Sequence, residues 1–464
     1  MTSPPSSAGS PAEALSELLA APTLTSLFRD RIAATSTRGI DRLSPEQLKS
    51  TLADVVQIVQ EKVAEGTYRF TPYLESLRVK ARDKPPRVIS IPTVRDRLVL
   101  LLLKELLHTT FPEYVARRLP NEFIRSIAQL HSGGFQGCYV KCDIKSFYDT
   151  IDHRRLLDKL QSRLPGSIVT LLARAIRNRT VTPHRSGVTS KLRPVSTGVP
   201  QGLAISNILA EIYIHDADSA ISKQVHRYLR YVDDILLFVE PGEEDATEGA
   251  METLLANLGL SLAPDKHHVG FIEDRFEYLG YEMTLPRISV RRVAVSRFVD
   301  SLAGLFTRYS LKTEQRYRAD WLDAKARQAV FLDELNERIS GAVSGNRRYG
   351  WIFYFLEIDD EPLLHNLDHV VRELWSRHFR SSAPAGLKRL ARAYWEARFN
   401  QLGNYVHNYN QYRTLAGKLE LLARRGVLDP TSQARHKAAD IETMFAQYRA
   451  RSLARLEADA GVIS

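Results

Sequence analysis

The chain has 464 residues, 44% of them hydrophobic and 25% charged, which excludes a disordered polypeptide and is too long for one ordinary domain. Its 64 Lys and Arg against 54 Asp and Glu leave a formal charge of +10, an excess that favours a polyanionic partner, most simply nucleic acid. The two cysteines, Cys138 and Cys142, cannot build a disulfide framework or a zinc site. Both lie in an apolar, strand-like stretch, as buried thiols of a reducing compartment do. The opening MTSPPSSAGSP has neither the basic nor the apolar region of a signal peptide. The longest apolar run, Leu98–Leu103, is far too short to span a bilayer. The expectation is a cytoplasmic protein with no membrane contact.

Residues 1–12 are rich in Ser, Pro and Gly and read as frayed, with a helical pattern from Glu13 onward. Ser44-Pro45-Glu46-Gln47 reads as a helix start, with Ser as the cap, Pro in the first turn and Gln reaching back. Tyr68–Pro92 is basic and punctuated by proline, which suits strands joined by loops. Val94–Phe111 returns to a helical pattern, Gly137–Ile144 reads as a buried strand and His153–Leu164 as a helix. A Gly-Pro loop at residue 198 runs into a long apolar helix ending near residue 222. His226–Tyr231 and Ile235–Val239 are β-rich runs, with Val232-Asp233-Asp234 as a tight hairpin between them. Met251–Leu258 is helical and Phe276–Met283 a short strand pair. After Pro286 the strand signals nearly vanish and the rest reads as helical. Residues 286–464 carry 29 Lys and Arg against 20 Asp and Glu. Nearly all of the basic excess therefore belongs to that part.

Two acidic positions stand out because each lies where a strand ends or turns. Asp143 follows an apolar strand in YVKCDIKSFYDTID, and Asp233-Asp234 sit at the hairpin in RYLRYVDDILLFVE. Adjacent carboxylates beside buried strands are costly unless a cation neutralises them, although an Asp-Asp pair alone is also an ordinary turn. Carboxylates from two strands suit Mg²⁺, which takes oxygen ligands and shares them with substrate phosphates.

YVDD resembles the signature hairpin of reverse transcriptases, and DIKSFYDTID their first metal-binding strand. Further pieces follow the order of that family. KARDKPPRVISIPTVRDRLV is similar to the fingers segment, GVPQGLAISNILAEIYI to the loop and helix behind the nucleotide, LSLAPDKHHVG to the lysine-bearing loop, and FEYLGYEM to the primer grip. With STRGID upstream, the resemblance spans residues 37–285. It implies an α+β right-hand polymerase of fingers and palm, after an N-terminal segment (1–36) and before a helical thumb and C-terminal extension (286–464).

By that resemblance Asp143, Asp233 and Asp234 ligate two Mg²⁺ ions, with Mn²⁺ as the substitute. Tyr148 is the gate that excludes a 2′-hydroxyl, with Phe147 as its core neighbour. Gln201 and Gly202 meet the incoming nucleotide. Lys80 and Arg87 clamp the triphosphate, with Lys84 as the alternative to Lys80, and Lys266 protonates pyrophosphate. The implied partners are an RNA template, a DNA product and deoxynucleoside triphosphates, and the oligomeric state is left open.

The chain lacks an acidic cluster for ribonuclease H and the Cys pairs of an HNH endonuclease. Its loop reads PQG-LAISN, not the PQG-APTSP of retrons, and so resembles the abortive-infection and defence-associated bacterial enzymes. That implies antiviral defence with a dedicated noncoding RNA. A group II intron-like maturase and a non-catalytic RNA-binding splicing cofactor are the alternatives. In the extension, Asn346–Trp351 and Tyr405–Tyr412 mix aromatic with polar side chains suited to single-stranded bases, or to a packed core with a basic face.

Overall fold

The computed structural model describes residues 10–78, 86–115, 118–182, 196–400, 403–429, 431 and 437–461. The chain divides into two compact units, residues 1–117 with 137–271 and residues 118–136 with 272–464. The expected cut at residue 286 and the unit boundary at residue 272 thus differ. Residues 118–136 also join the second unit, although they precede the strand Cys138–Asp143 of the first.

The first unit is α+β. Its helix 94–110 opens at Thr93, whose hydroxyl accepts from the Asp96 backbone. The helix is apolar nearly all round and accordingly buried, from Leu98 to Leu107. The expected start at Ser44 is present as a full capping box with Gln47, but that helix is short (Pro45–Leu48) and a longer one follows at Leu52–Ala64. Strands β1 (Tyr73–Arg78) and β2 (Arg87–Ile91) pair antiparallel, and β4 (Thr180–Val181) joins β1 in parallel. The central sheet comprises β3 (Cys138–Asp143), β5 (Arg227–Tyr231), β6 (Asp234–Val239) and β7 (His268–Phe271), in the order β5-β6-β3-β7. All its pairings are antiparallel. Ile235 to Val239 are entirely buried, as in a central strand covered on both faces.

The second unit is mostly helical, as expected, and the expected strand pair at Phe276–Met283 is present, but further short strands follow residue 286 where none were foreseen. β8 (Phe276–Tyr278), β9 (Tyr281–Thr284) and β10 (Arg287–Val290) form one meander. β11 (Ala342–Ser344), β12 (Arg347–Tyr349) and β13 (His407–Asn408) form another small sheet. The strand signals were there. Arg287–Val290 alternates exposed with buried residues, and Gly345-Asn346 is a two-residue turn, with Gly345 at φ 60°. Charged helices around them masked both at the level of composition. The unit's helices are locked by buried ion pairs, including Arg316–Glu334 at 2.5 Å, Arg425–Glu337 at 2.8 Å and Arg338–Asp459.

Among the described residues no helix is long and apolar enough to cross a membrane. Both cysteines are buried, and neither forms a disulfide. Burial, and then the charges of Glu248, Asp234 and Asp143, push the Cys142 thiol up to about 12, so it stays protonated and unreactive.

Candidate active site

The β3–β6 register runs from Cys138 opposite Val239 to Asp143 opposite Asp234. Two carboxylates on neighbouring strands are thereby set side by side, by a ladder whose apolar members decide the alignment. The hairpin is tighter than expected. Tyr231 pairs with Asp234, so only Val232 and Asp233 form the turn and Asp234 is the first residue of β6. Val232 adopts φ 60°, a left-handed conformation that is strained for a β-branched residue. The Asp233 carbonyl accepts the Ile144 amide at 2.9 Å, which ties the turn to the end of β3.

Past Asp143 the chain is also held from the other side. The Asp143 carbonyl accepts from the Ala263 amide at 2.8 Å, and Lys145 donates to the Ser261 carbonyl at 2.9 Å. A short 3₁₀ turn, Pro264–Lys266, then directs Lys266 back to the site. Its Nζ lies 2.6 Å from Asp143 Oδ1. Lys141 Nζ lies 3.9 Å from Asp234 Oδ1. Even so, burial, with Asp143 and Asp233 adding to it, pushes the Asp234 carboxyl up to about 6 against the pull of the two lysines. Burial therefore outweighs the two lysines at Asp234.

Partly buried carboxylate oxygens are hard donors that fit a divalent cation such as Mg²⁺. Asp143 and Asp234 supply them across one register pair, and Asp233 adds a carboxylate from the turn. Among the described residues no three His, Cys, Asp or Glu side chains already close into an ion-holding cluster.

A second set of contacts surrounds this centre. On the short helix Phe147–Thr150, Phe147 is buried, the core residue expected there, and Tyr148 is half-buried. The Tyr148 hydroxyl donates to Asn207 Oδ1 at 2.7 Å. Burial raises its pKa most, followed by the charges of Glu211 and Asp233, while Arg87 and Arg230 oppose.

The loop after Gly198 is fixed at both ends. The Val199 amide donates to the Tyr148 carbonyl at 2.8 Å, and the Gln201 carbonyl accepts from the Ser90 amide of β2 at 2.7 Å. Gly202 has φ +98°, and a Cβ there would lie 2.7 Å from Ile89 Cγ2, so only glycine lets the loop approach β2 this closely. Arg87, Tyr148, Gln201 and Gly202 are thus joined through the backbone of one unit. Lys80, with its alternative Lys84, lies outside the described residues.

Sequence reasoning missed Arg230. It sits two residues before the turn, with its side chain 6% exposed, and pairs with Glu211 and Asp218 of the helix Ser206–Ile221. The signal was present. An arginine inside an otherwise apolar strand needs anionic partners, and Glu211 and Asp218 stand seven residues apart on one face of the preceding helix. It also missed Asp96, a buried carboxylate that accepts from Tyr68 at 2.7 Å and Thr93 at 2.8 Å.

In the C-terminal part, two of the five aromatic residues in Asn346–Trp351 and Tyr405–Tyr412 follow the core reading, and the other three are half-buried. Trp351 is fully buried and stacked on Phe298 at 4.8 Å between ring centroids. Tyr409 is buried and donates to Glu337 at 2.6 Å. These two are core residues, while Arg347 and Arg348 beside Trp351 are exposed.

Residues 79–283 match the family model of reverse transcriptases (RNA-dependent DNA polymerases). Protein YkfC of Escherichia coli is 26% identical over 300 residues, covering 54% of this chain and 77% of that protein. The group II intron-encoded protein LtrA of Lactococcus lactis is 25% identical over 199 residues, covering 40% of this chain but only 31% of LtrA. A solved apo telomerase from Candida tropicalis, truncated from its C-terminal domain, aligns over 52% of this chain and 60% of its own at 15% identity and a TM-score of 0.37.

Proposed function

We propose that the chain, whose residues 79–283 match the reverse transcriptase family model, extends a primer on an RNA template using deoxynucleoside triphosphates. The observation that carries this reading is the facing pair Asp143 and Asp234, with Lys266 Nζ 2.6 Å from Asp143. In the reaction a primer 3′-hydroxyl attacks the α-phosphate of the nucleotide, and pyrophosphate leaves.

Asp143, Asp233 and Asp234 would hold two Mg²⁺ ions, or Mn²⁺ in their place, which when bound neutralise the carboxylates and the charge that develops on the phosphates. The chain's own groups do the rest. Lys266 carries a proton at Nζ beside the reacting centre and gives it to the departing pyrophosphate. Arg87 meets the triphosphate bidentately, with Lys80 as its partner cation. Gln201 and Gly202 seat the nucleotide against β2. Tyr148 lies under the sugar, where its ring collides with a 2′-hydroxyl.

The thumb and extension grip RNA, and the setting is cytoplasmic. The PQG-LAISN loop supports a role in bacterial antiviral defence with a dedicated noncoding RNA as template. The match to LtrA favours a second reading, an intron-type maturase. Sequencing the RNA that copurifies with the protein separates them, because an intron RNA supports the second and a short noncoding RNA the first. The polymerase reading itself is tested by primer extension with purified protein, Mg²⁺ and a primed RNA. Incorporation by the wild type and its loss in Asp143→Asn are expected. No incorporation by the wild type, or undiminished incorporation by the variant, overturns it.

A further inference from the structure

The helix Ser206–Ile221 carries a polar stripe beside a buried apolar face. Asn207, Glu211 and Asp218 are spaced four and seven residues apart, which puts them on one face, while Ile208, Leu209, Ile212 and Ile214 are buried. The stripe holds two groups, Tyr148 through Asn207 and Arg230 through Glu211 and Asp218 together. Asn207 Oδ1 accepts the Tyr148 hydroxyl at 2.7 Å. Asp218 takes Arg230 in a fork, from Nε at 2.9 Å and Nη2 at 2.6 Å, and also accepts the Tyr228 hydroxyl at 2.6 Å. Glu211 accepts from Arg230 Nη2 at 2.5 Å and Nη1 at 3.2 Å.

What Arg230 then does with its remaining reach matters for the reaction. Nη1 donates to the Val232 carbonyl at 2.9 Å. Val232 is the residue at φ 60°, and the next carbonyl, that of Asp233, holds the Ile144 amide at the end of β3. The guanidinium therefore pins a strained turn whose two flanking groups, Asp143 and Asp234, are the facing carboxylates. Its three nitrogens are all engaged, and the fork geometry cannot be reproduced by the single ammonium of lysine.

We infer that this helix stripe is a shared positioning device, holding the sugar gate Tyr148 through Asn207 and the catalytic turn through Arg230, so that gate and carboxylates keep one spacing. The inference rests on the polymerase reading above. Neither Asn207 nor Arg230 touches the reacting atoms. Both act through the groups they hold.

Single-nucleotide incorporation by the full chain, with matched deoxynucleotide and ribonucleotide, tests it. Asn207→Ala frees the Tyr148 hydroxyl, so discrimination against the ribonucleotide should fall by about five-fold, the worth of one hydrogen bond. Asn207→Asp keeps an acceptor and should restore the wild-type ratio. Arg230→Lys keeps the charge but loses the fork, so kcat should fall at least about ten-fold with KM little changed.

Amide exchange in the absence of nucleotide supplies a readout that does not depend on activity. Protection of the Ile144 amide should drop in Arg230→Lys and not in Asn207→Ala. An unchanged ratio in Asn207→Ala, or unchanged Ile144 protection in a folded Arg230→Lys, overturns the inference. A wild type that incorporates nothing sinks the polymerase reading instead, and the exchange measurement still decides whether Arg230 holds the turn.

Discussion

Burial, reinforced by Asp143 and Asp233, pushes the Asp234 carboxyl up to about 6 from an ordinary value of 3.8, and the sign of this shift sets its effect on stability. Between those two values the folded chain holds a proton that the unfolded chain has released. Stability therefore declines as pH rises through that window and stays lowered above about 6, as linkage requires. The charged carboxylate thus costs the cation-free protein on the order of 1–3 kcal/mol at neutral pH. Asp234→Asn removes that charge at nearly constant volume. It should melt higher than the wild type at pH 7.5 with chelator present, and lose the advantage near pH 4. In the same variant primer extension should fall by at least about 10³-fold if, as proposed, Asp234 is a ligand to the catalytic cations. A variant that melts no higher at pH 7.5 would show that the pair is not held at short range. The position of Asp234 was legible in the motif, but its strain was not, because that depends on which residue lies opposite it across β3.

At the scale of elements, the PQG loop shows how a local sequence is read against a distant one. Its Gly-Pro spacing announced a loop, and the apolar run after it announced the helix that follows. That β2 receives the loop, through the Ser90 amide and the Gln201 carbonyl at 2.7 Å, could not be read, since more than a hundred residues separate the partners. Gly202 is where the two meet. A Cβ there would stand 2.7 Å from Ile89 Cγ2 and 3.1 Å from the Ser90 carbonyl oxygen, at φ +98°. Gly202→Ala should therefore cost about 1–3 kcal/mol, visible as a lowered Tm. It should also raise KM for the nucleotide more than it lowers kcat, because it displaces the seat and leaves the carboxylates in place. A normal Tm together with a normal KM would mean that the loop adjusts freely and that Gly202 is no seat. The hairpin makes the same point. Its existence was plain in the alternation around YVDD, but the shift of Asp234 from turn to strand followed only from its pairing with Tyr231.

For the whole molecule, the helical character of the C-terminal part was legible, but its boundary was not. Residues 118–136 belong to the second unit through contacts such as Arg125 with Glu357 at 2.6 Å and the ring of Phe123 beside that of Tyr278. No local pattern reports pairings of that length. Charge, being additive along the chain, was readable directly, with 29 Lys and Arg against 20 Asp and Glu in residues 286–464. A basic excess of this kind supplies sequence-independent affinity for phosphates, together with its salt dependence. Arg347 and Arg348 are suited to testing it, because the structure separates them from the aromatic residues beside them. Both are exposed on β12, with Arg348 lying 5.6 Å over the Phe353 ring, whereas Trp351 is buried against Phe298. Replacing both arginines with Ala should thus spare the core and leave Tm within about 2 °C of the wild type. Affinity for single-stranded RNA should weaken, and the plot of log affinity against log salt should flatten by roughly one to two units, the count of phosphate contacts removed. A folded double variant with unchanged slope would assign the phosphate contacts to other cations of the chain. Arg347 and Arg348 would then be solvated side chains on a small sheet.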